Sequence, residues 1–352
     1  MALAVLMVLV CSYLVAAQPS FAAESSKPIT MKVSMFFAQG SWMGKQYQSW
    51  ADELAKRTNG RVKADMFWMD SLVKQADMLP GLKAKMTDAG YLSQTYFPSN
   101  FPLLMMVDNF GNATKDYGAA VLAALDTEEN EPNLKAELEK EGVVPIAPYF
   151  GGVGHLAVGK RVNSFSEIKG KTIRTFGGTG LNYFKTLGMN PIFMPYTDIY
   201  EAVSRGTIDG FQMVLPLSDA FKHYEVIKTI ACISMGAPVG PAVMMRRDLF
   251  LSLPADVQKI ILDLRKDFGV RYAEAVKNDF EAGAYHRWVF EHGVTLLTLT
   301  PEEKAFNGKA IETANALMIK EQESKGHKAA GKVWDYYMKV LKKYTDERAK
   351  KS

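Results

Sequence analysis

Two hydrophobic periods take turns along this chain. Residues 29–35 alternate apolar and polar side chains, the pattern of a half-buried strand. Residues 45–57 carry a helical apolar stripe and are closed by Thr58-Asn59-Gly60, a helix with its stop signal. The succession continues with a strand over 61–67, a helix over 74–85, a short buried strand over 88–93, two charged helices over 116–141 and a strand over 143–149. Beyond residue 150 it starts again, with strands over 155–159 and 171–176, helices over 180–187 and 197–204, and strands over 208–211 and 239–246. Strands separated by helices of this length imply an α/β protein with largely parallel sheets.

The segment 254–292 departs from that rhythm. Val257, Ile260, Ile261, Leu264, Phe268, Tyr272 and Ala275 recur every three or four positions and predict one long helix. At about 1.5 Å per residue it reaches about 55–60 Å, longer than one domain is wide, so it bridges two lobes. Gly269 and Gly283 are the positions where it can bend. A strand over 294–299 and two helices follow, ending in a basic tail, 342–351, that reads as a solvated helix end.

Composition narrows the class. The chain has 352 residues, 48% hydrophobic and 23% charged, which excludes disorder as its main state and collagen-like sequence. That length suggests two domains. Its net charge of +4 is too mild to indicate a nucleic-acid partner. Residues 2–17 are almost all apolar, and no charge precedes Glu24. Ser20-Phe21-Ala22 supplies small residues for a signal peptidase, so residues 1–23 read as a signal peptide cleaved after Ala22 or Ala23. Only the Lys or Arg usual before such an apolar run is missing. Cleavage removes Cys11 and leaves Cys232 alone, which excludes an internal disulfide. Cys232 lies in an apolar run and is expected to be an inert buried thiol.

Catalytic patterns are scarce. The chain has no H-E-x-x-H, no C-x-x-C, no G-x-S-x-G and no Walker loop, and its five His are scattered. Neither a metal nor a cofactor is expected, and no catalytic residue is assigned. Gly152-Val153-Gly154-His155-Leu156-Ala157 matches G-x-G-x-x-A, but residues 156–159 read as strand where a dinucleotide site needs a helix. It reads better as a tight turn between lobes.

An anion site has more support. Lys171 to Phe176 reads as a strand, and Gly177-Gly178-Thr179-Gly180 leads directly into a helix. Helix N-termini present unpaired N–H groups and partial positive charge. Arg174 stands near the end of that strand, where α/β sheets place ligands. A guanidinium matches a carboxylate with two parallel hydrogen bonds. On chemistry alone, Arg174 pairs either with a ligand or with an Asp or Glu of its own chain, or it lies exposed on an edge.

The segment Ser166-Glu167-Ile168-Lys169-Gly170-Lys171-Thr172-Ile173-Arg174 resembles the "D-L-K-G-x-K-I-R" signature of TRAP-transporter solute-binding proteins, the DctP family. Leu187-Gly188-Met189-Asn190-Pro191 resembles that family's "L-G-A-x-P", and Tyr200 to Gly210 its "Y-x-A-L-x-x-G-x-I-D-G". Thr87 to Tyr91 and Phe101-Pro102-Leu103 are similar as well. The resemblance implies a two-lobed periplasmic binding protein with crossing strands and a long bridging helix. On this chain, lobe I would hold 29–151 plus about 240–282, and lobe II 152–239 plus about 283–350. It also implies a non-catalytic receptor that holds an organic acid between the lobes and hands it to a TRAP membrane permease; the chain is expected to be a monomer. Arg174 occupies the place of the family's carboxylate-binding Arg.

The departures bear on the ligand. Relatives often carry a second Arg in a "G-F-R" segment, where this chain has Gly152-Val153-Gly154-His155. They often carry an Asn where this chain has Met213, beside Gln212, while the aromatic at Tyr196 is kept. With Arg174, the candidate ligand-binding residues are Phe37, Gln39, Trp42, Trp68, Tyr91, His155, Phe176, Tyr196, Gln212 and Met213. Aromatic faces and an adaptable Met suit a hydrophobic or aromatic monocarboxylate. The other readings are a receptor for a C4-dicarboxylate or a sugar acid, a sensor subunit presenting the same ligand, and an exported enzyme using His155.

Overall fold

The computed structural model describes residues 28–107, 111 and 114–350; the signal-peptide segment, 1–23, lies outside the described residues. The first strand, β1 (Ile29–Ser34), buries Met31 and Val33 and pairs in parallel with β2 (Val62–Phe67) and β3 (Ala89–Tyr91). Between β1 and β2 the helix Trp42–Arg57 buries Met43, Tyr47, Trp50 and Leu54. It begins three residues before the apolar stripe suggests, because the Ser41 hydroxyl accepts from the Gly44 N–H and caps it. The helix expected over 74–85 is shorter, a tight turn at Gln75–Asp77 running into Met78–Lys83. Pro80 and Gly81 sit inside that last helix and favour no longer run.

Two sheets result. The first has the order β2-β1-β3-β10-β4, where β4 is Val143–Phe150 and β10 (Val239–Arg246) runs antiparallel to both its neighbours. The second has the order β11-β9-β5-β8-β6-β7. It contains β5 (His155–Val158), β6 (Thr172–Thr175), β7 (Asn190–Phe193), β8 (Gly210–Met213), β9 (Thr229–Ala231) and β11 (Thr295–Leu297). The chain passes directly from strand to strand between the sheets from β4 to β5 and from β9 back to β10, and it passes again from β10 to β11 along the long helix. Gly152, at φ 73°, turns the first crossing, where the G-x-G-x-x-A run lies and a strand follows it.

The long helix bridges the two halves, and its winding departs from the α type at residues 276–280 rather than at Gly269 or Gly283. It runs from Ala255 to Ala275, makes one wide π-type turn at Val276–Phe280, and continues as Glu281–Phe290. Gly269 instead serves close packing: a Cβ there would stand 2.6 Å from Pro148 Cγ on β4. Upstream of the wide turn the helix packs on β4 and on the helix Tyr117–Asn130 of the first half. Downstream it packs on Leu215–Ala220 of the second half, where Trp288 Nε1 and an Arg287 N–H donate to Asp219. The Tyr117 hydroxyl donates to Glu281 directly after the wide turn.

The last two helices separate. Pro301–Ser324 packs on the helix Thr179–Thr186 of the second half. Ala330–Ala349 packs on Tyr117–Asn130 in the first, with the Tyr336 and Tyr344 hydroxyls both donating to Asp126. The boundary drawn from the sequence gave both helices to the second lobe. No helix of the described residues is long and apolar enough to cross a membrane.

Candidate ligand-binding site

A cavity lies between the halves. From the first half it is lined by Phe36, Gln75, Tyr91, the turn Ser93–Tyr96, Met105 and Tyr149. From the second come Arg174, the run 176–180, Tyr196, Val214 and Leu217. About 50 Å³ is open to the centre of a water molecule. That is several times the ~10–15 Å³ a single buried water needs, so the space suits a small molecule.

Arg174 organises it. Strand β6 lies between β7 and β8 and delivers this side chain into the cavity at 1% exposure. Its Nε donates to the Met194 carbonyl at 3.1 Å, and its guanidinium carbon sits 4.4 Å from the Phe176 ring centre and 5.0 Å from that of Tyr196. Those rings stack 5.5 Å apart. Nη1 is buried with no hydrogen-bond partner among the described residues. Burial lowers its pKa from 12.5 to about 10, and the Tyr196 and Tyr96 hydroxyls act in the opposite direction. The group therefore stays a cation at neutral pH. A buried charge held only by cation–π contact and one carbonyl is short of a counter-ion.

The glycines beside it are there for space and for dihedral reasons. Gly177 and Gly178 have φ 86° and 53°, which turns the strand sharply into the helix Thr179–Thr186. A Cβ on Gly180 would fall 2.6 Å from Gln212 Oε1. That oxygen is already engaged, accepting from the Thr175 hydroxyl at 2.5 Å and from the Phe176 N–H at 3.2 Å. Gln212 thus fixes the strand end that carries Arg174 and Phe176, without lining the cavity.

Of the sequence candidates, Arg174, Tyr91, Phe176 and Tyr196 come together on the cavity wall. Phe37 and Trp68 stand behind it: Phe37 meets the Tyr91 ring edge-on at 5.8 Å and Trp68 at 6.2 Å. Trp42 packs on the bridging helix, 5.4 Å from Tyr272 and 4.7 Å from Phe280. Gln39 is exposed, within 3.4 Å of Gln48. Met213 and His155 are paired neighbours inside the second sheet, on β8 and β5. His155 Nδ1 accepts from the Ser234 N–H at 3.4 Å, and burial lowers its pKa to about 4, so it is neutral. Cys232 is half-buried rather than sealed in the core, and burial raises its pKa.

Sequence reasoning missed Gln75, Tyr96, Tyr149 and Thr179, while Phe36 stood among the aromatic residues expected around the cleft. Thr179 stood inside the Gly-rich run already singled out, so a signal for it existed. Tyr96 carries a contact across the cleft, its hydroxyl accepting from the Tyr196 N–H at 3.1 Å. Phe36 reaches across in the same way, stacking on Phe221 at 5.6 Å. His223, fully buried, rests 5.3 Å from the Tyr196 ring; burial, then the nearby Arg174, lowers its pKa to about 3.

Residues 33–324 match the family model of bacterial extracellular solute-binding proteins, family 7, DctP. A solute-binding protein of Verminephrobacter eiseniae is 25% identical over 245 residues, 68% of this chain and 71% of its own length. A TRAP periplasmic solute-binding protein of Desulfovibrio salexigens, solved with bound orotic acid, superposes with TM-score 0.77 at 19% identity, covering 90% of this chain and 99% of that one. A TRAP solute-binding protein of Rhodoferax ferrireducens, in complex with copurified benzoate, gives TM-score 0.77 at 17% identity, covering 91% and 99%. The two-lobed architecture of these proteins is the one described above.

Proposed function

This chain belongs to the DctP family of bacterial extracellular solute-binding proteins, and we propose that it captures a small hydrophobic or aromatic monocarboxylate between its halves and delivers it to a TRAP membrane permease. It is a receptor and not an enzyme. The observation that carries the reading is Arg174, a buried cation with an unpartnered Nη1, facing a cavity that both halves line.

The ligand carboxylate docks on the free edge of the guanidinium. Its body lies against Phe176, Tyr196, Phe36 and Tyr91. Among the described residues Arg174 is the one charged residue of the cavity wall, so a second carboxylate would be buried without a counter-ion, a penalty of several kcal/mol. That disfavours a C4-dicarboxylate. Closure of the halves removes water and strengthens the ion pair. It also assembles the surface a permease recognises, a hinge motion about the two crossings and the bridging helix. Export through the signal peptide 1–23 places the protein in the periplasm.

Calorimetry with benzoate, hydroxybenzoates, orotate, succinate, malate and galacturonate tests this. Monocarboxylates with a ring are expected to bind, and Arg174→Ala is expected to weaken them by about 2–5 kcal/mol. Binding of succinate and malate with no response to ring acids would overturn the ligand class. Unchanged affinity in Arg174→Ala would overturn the site.

A further inference from the structure

Three more residues that line the same cavity each carry a buried polar atom without a hydrogen-bond partner among the described residues: Gln75 Oε1, Tyr149 Oη and Thr179 Oγ1. Their residues are 5%, 8% and 6% exposed, so bulk solvent does not satisfy them. An unpaired buried polar group is costly, and natural sites keep such groups where a ligand completes them.

Their distribution is uneven. Thr179 stands with Arg174 on the second half, at the junction of β6 and the helix Thr179–Thr186. Gln75 and Tyr149 stand on the first half, on the turn before Met78–Lys83 and on β4. The loop that presents Gln75 is built with strain. Met69 and Asp70 hold φ 58° and 56°, a left-handed conformation that non-glycine residues adopt rarely. The Asp70 carboxylate then accepts from the Gln75 N–H at 3.2 Å, anchoring that residue.

Resting on the carboxylate clamp proposed above, we infer that the ligand carries a neutral hydrogen-bond donor, a hydroxyl or a ring N–H, at the end remote from its carboxylate, and that Gln75 and Tyr149 receive it. Gln75 Oε1 is an acceptor and requires a donor; the Tyr149 hydroxyl takes either role. A molecule polar at both ends ties the second half, through Arg174 and Thr179, to the first half, through Gln75 and Tyr149. A bare hydrocarbon acid fills the space but leaves Gln75 and Tyr149 unpaired. Sites built to bond a donor reject analogues lacking it.

Calorimetry on the exported form of the protein decides this with matched pairs: benzoate against 3- and 4-hydroxybenzoate, and cyclohexanecarboxylate against 4-hydroxycyclohexanecarboxylate. In at least one pair the donor-bearing acid is expected to bind about tenfold tighter or more. Gln75→Leu is expected to shrink that ratio while changing affinity for the bare acid little. Equal or tighter binding of the bare acid in every pair overturns the inference, as does a ratio that a folded Gln75→Leu leaves unchanged. The wild-type ratios need no variant, so they stand even if Gln75→Leu fails to fold. If the members bind equally in every pair and Arg174→Gln weakens them all, the carboxylate clamp survives and only this inference falls. If no acid binds, the clamp itself has failed.

Discussion

Two buried arginines, one on each side of the cleft, show what the molecule does with an interior cation. Arg265, on the bridging helix in the first half, is 2% exposed and pairs with the buried Glu128 and, at 3.1 Å, with Glu129. Arg174 in the second half is 1% exposed and has aromatic rings and a carbonyl around it instead of a carboxylate. The first charge is neutralised by its own chain and holds two helices together. The second has no such partner among the described residues, and on the proposed function the ligand neutralises it. Burial alone therefore does not distinguish a structural arginine from a binding one; the partner does.

That contrast can be broken by substitution. The largest effect is expected at Arg265: Arg265→Ala removes the arginine from its pair with the buried Glu128 and should cost about 3–5 kcal/mol in urea unfolding. Arg174→Met removes a cation that no carboxylate among the described residues satisfies, so the ligand-free protein should lose little stability or gain some, while acid binding is lost. If the two variants destabilise the ligand-free protein equally, Arg174 is structural and the contrast collapses.

A smaller effect tests how rigidly the first half is packed around Arg265. Gly269 lies one turn further along the same helix, and a Cβ there would stand 2.6 Å from Pro148 and 2.8 Å from Val121. Gly269→Ala should cost about 1–3 kcal/mol through overpacking, measurable by the same unfolding curves. A neutral result would mean that the helix slides on β4 easily.

The smallest effect sharpens the Arg174 side. The pKa of His223 is lowered from 6.5 to about 3, chiefly by burial and then by Arg174. As pH falls below 6.5 the unfolded chain takes up this proton and the folded one does not. The stability His223 permits is thus complete above 6.5 and is lost progressively as pH falls towards 3. His155, lowered to about 4, acts with the same sign. His223→Phe should flatten the acid limb by up to ~1.4 kcal/mol per pH unit, read from unfolding midpoints between pH 6.5 and 4.5. An unchanged limb would show that this imidazole does not stay neutral beside the guanidinium.

Much of the fold was legible because burial imposes periods. The alternation in 29–35 and the stripe from Val257 to Ala275 gave the first strand and the bridging helix directly. Strands β7 and β9 were not legible. The residues of β7 are largely exposed and include Pro191, and β9 has three residues, too few to show a period. Within the site, Arg174 stood out as a charge in an apolar strand, and its neighbours Phe176 and Tyr196 came with it. The other aromatics could not be sorted. Trp42 and Phe37 have the same composition signal as Tyr91. Which ring faces the cavity depends on contacts such as Trp42 against Tyr272, 230 positions away in sequence. Gln75 and Tyr149 left no local mark, since only the approach of the two halves gives them a shared cavity.

The wide turn at Val276–Phe280 sets an angular phase. A π turn holds one residue more than an α turn, so every side chain after it is rotated by about 100° relative to an uninterrupted helix. Deleting a single residue there would restore regular winding and swing Arg287 and Trp288 away from Asp219, and Glu281 away from Tyr117. One extra residue thus acts as the key between two cogs, fixing which face of the bridge each half of the receptor meets.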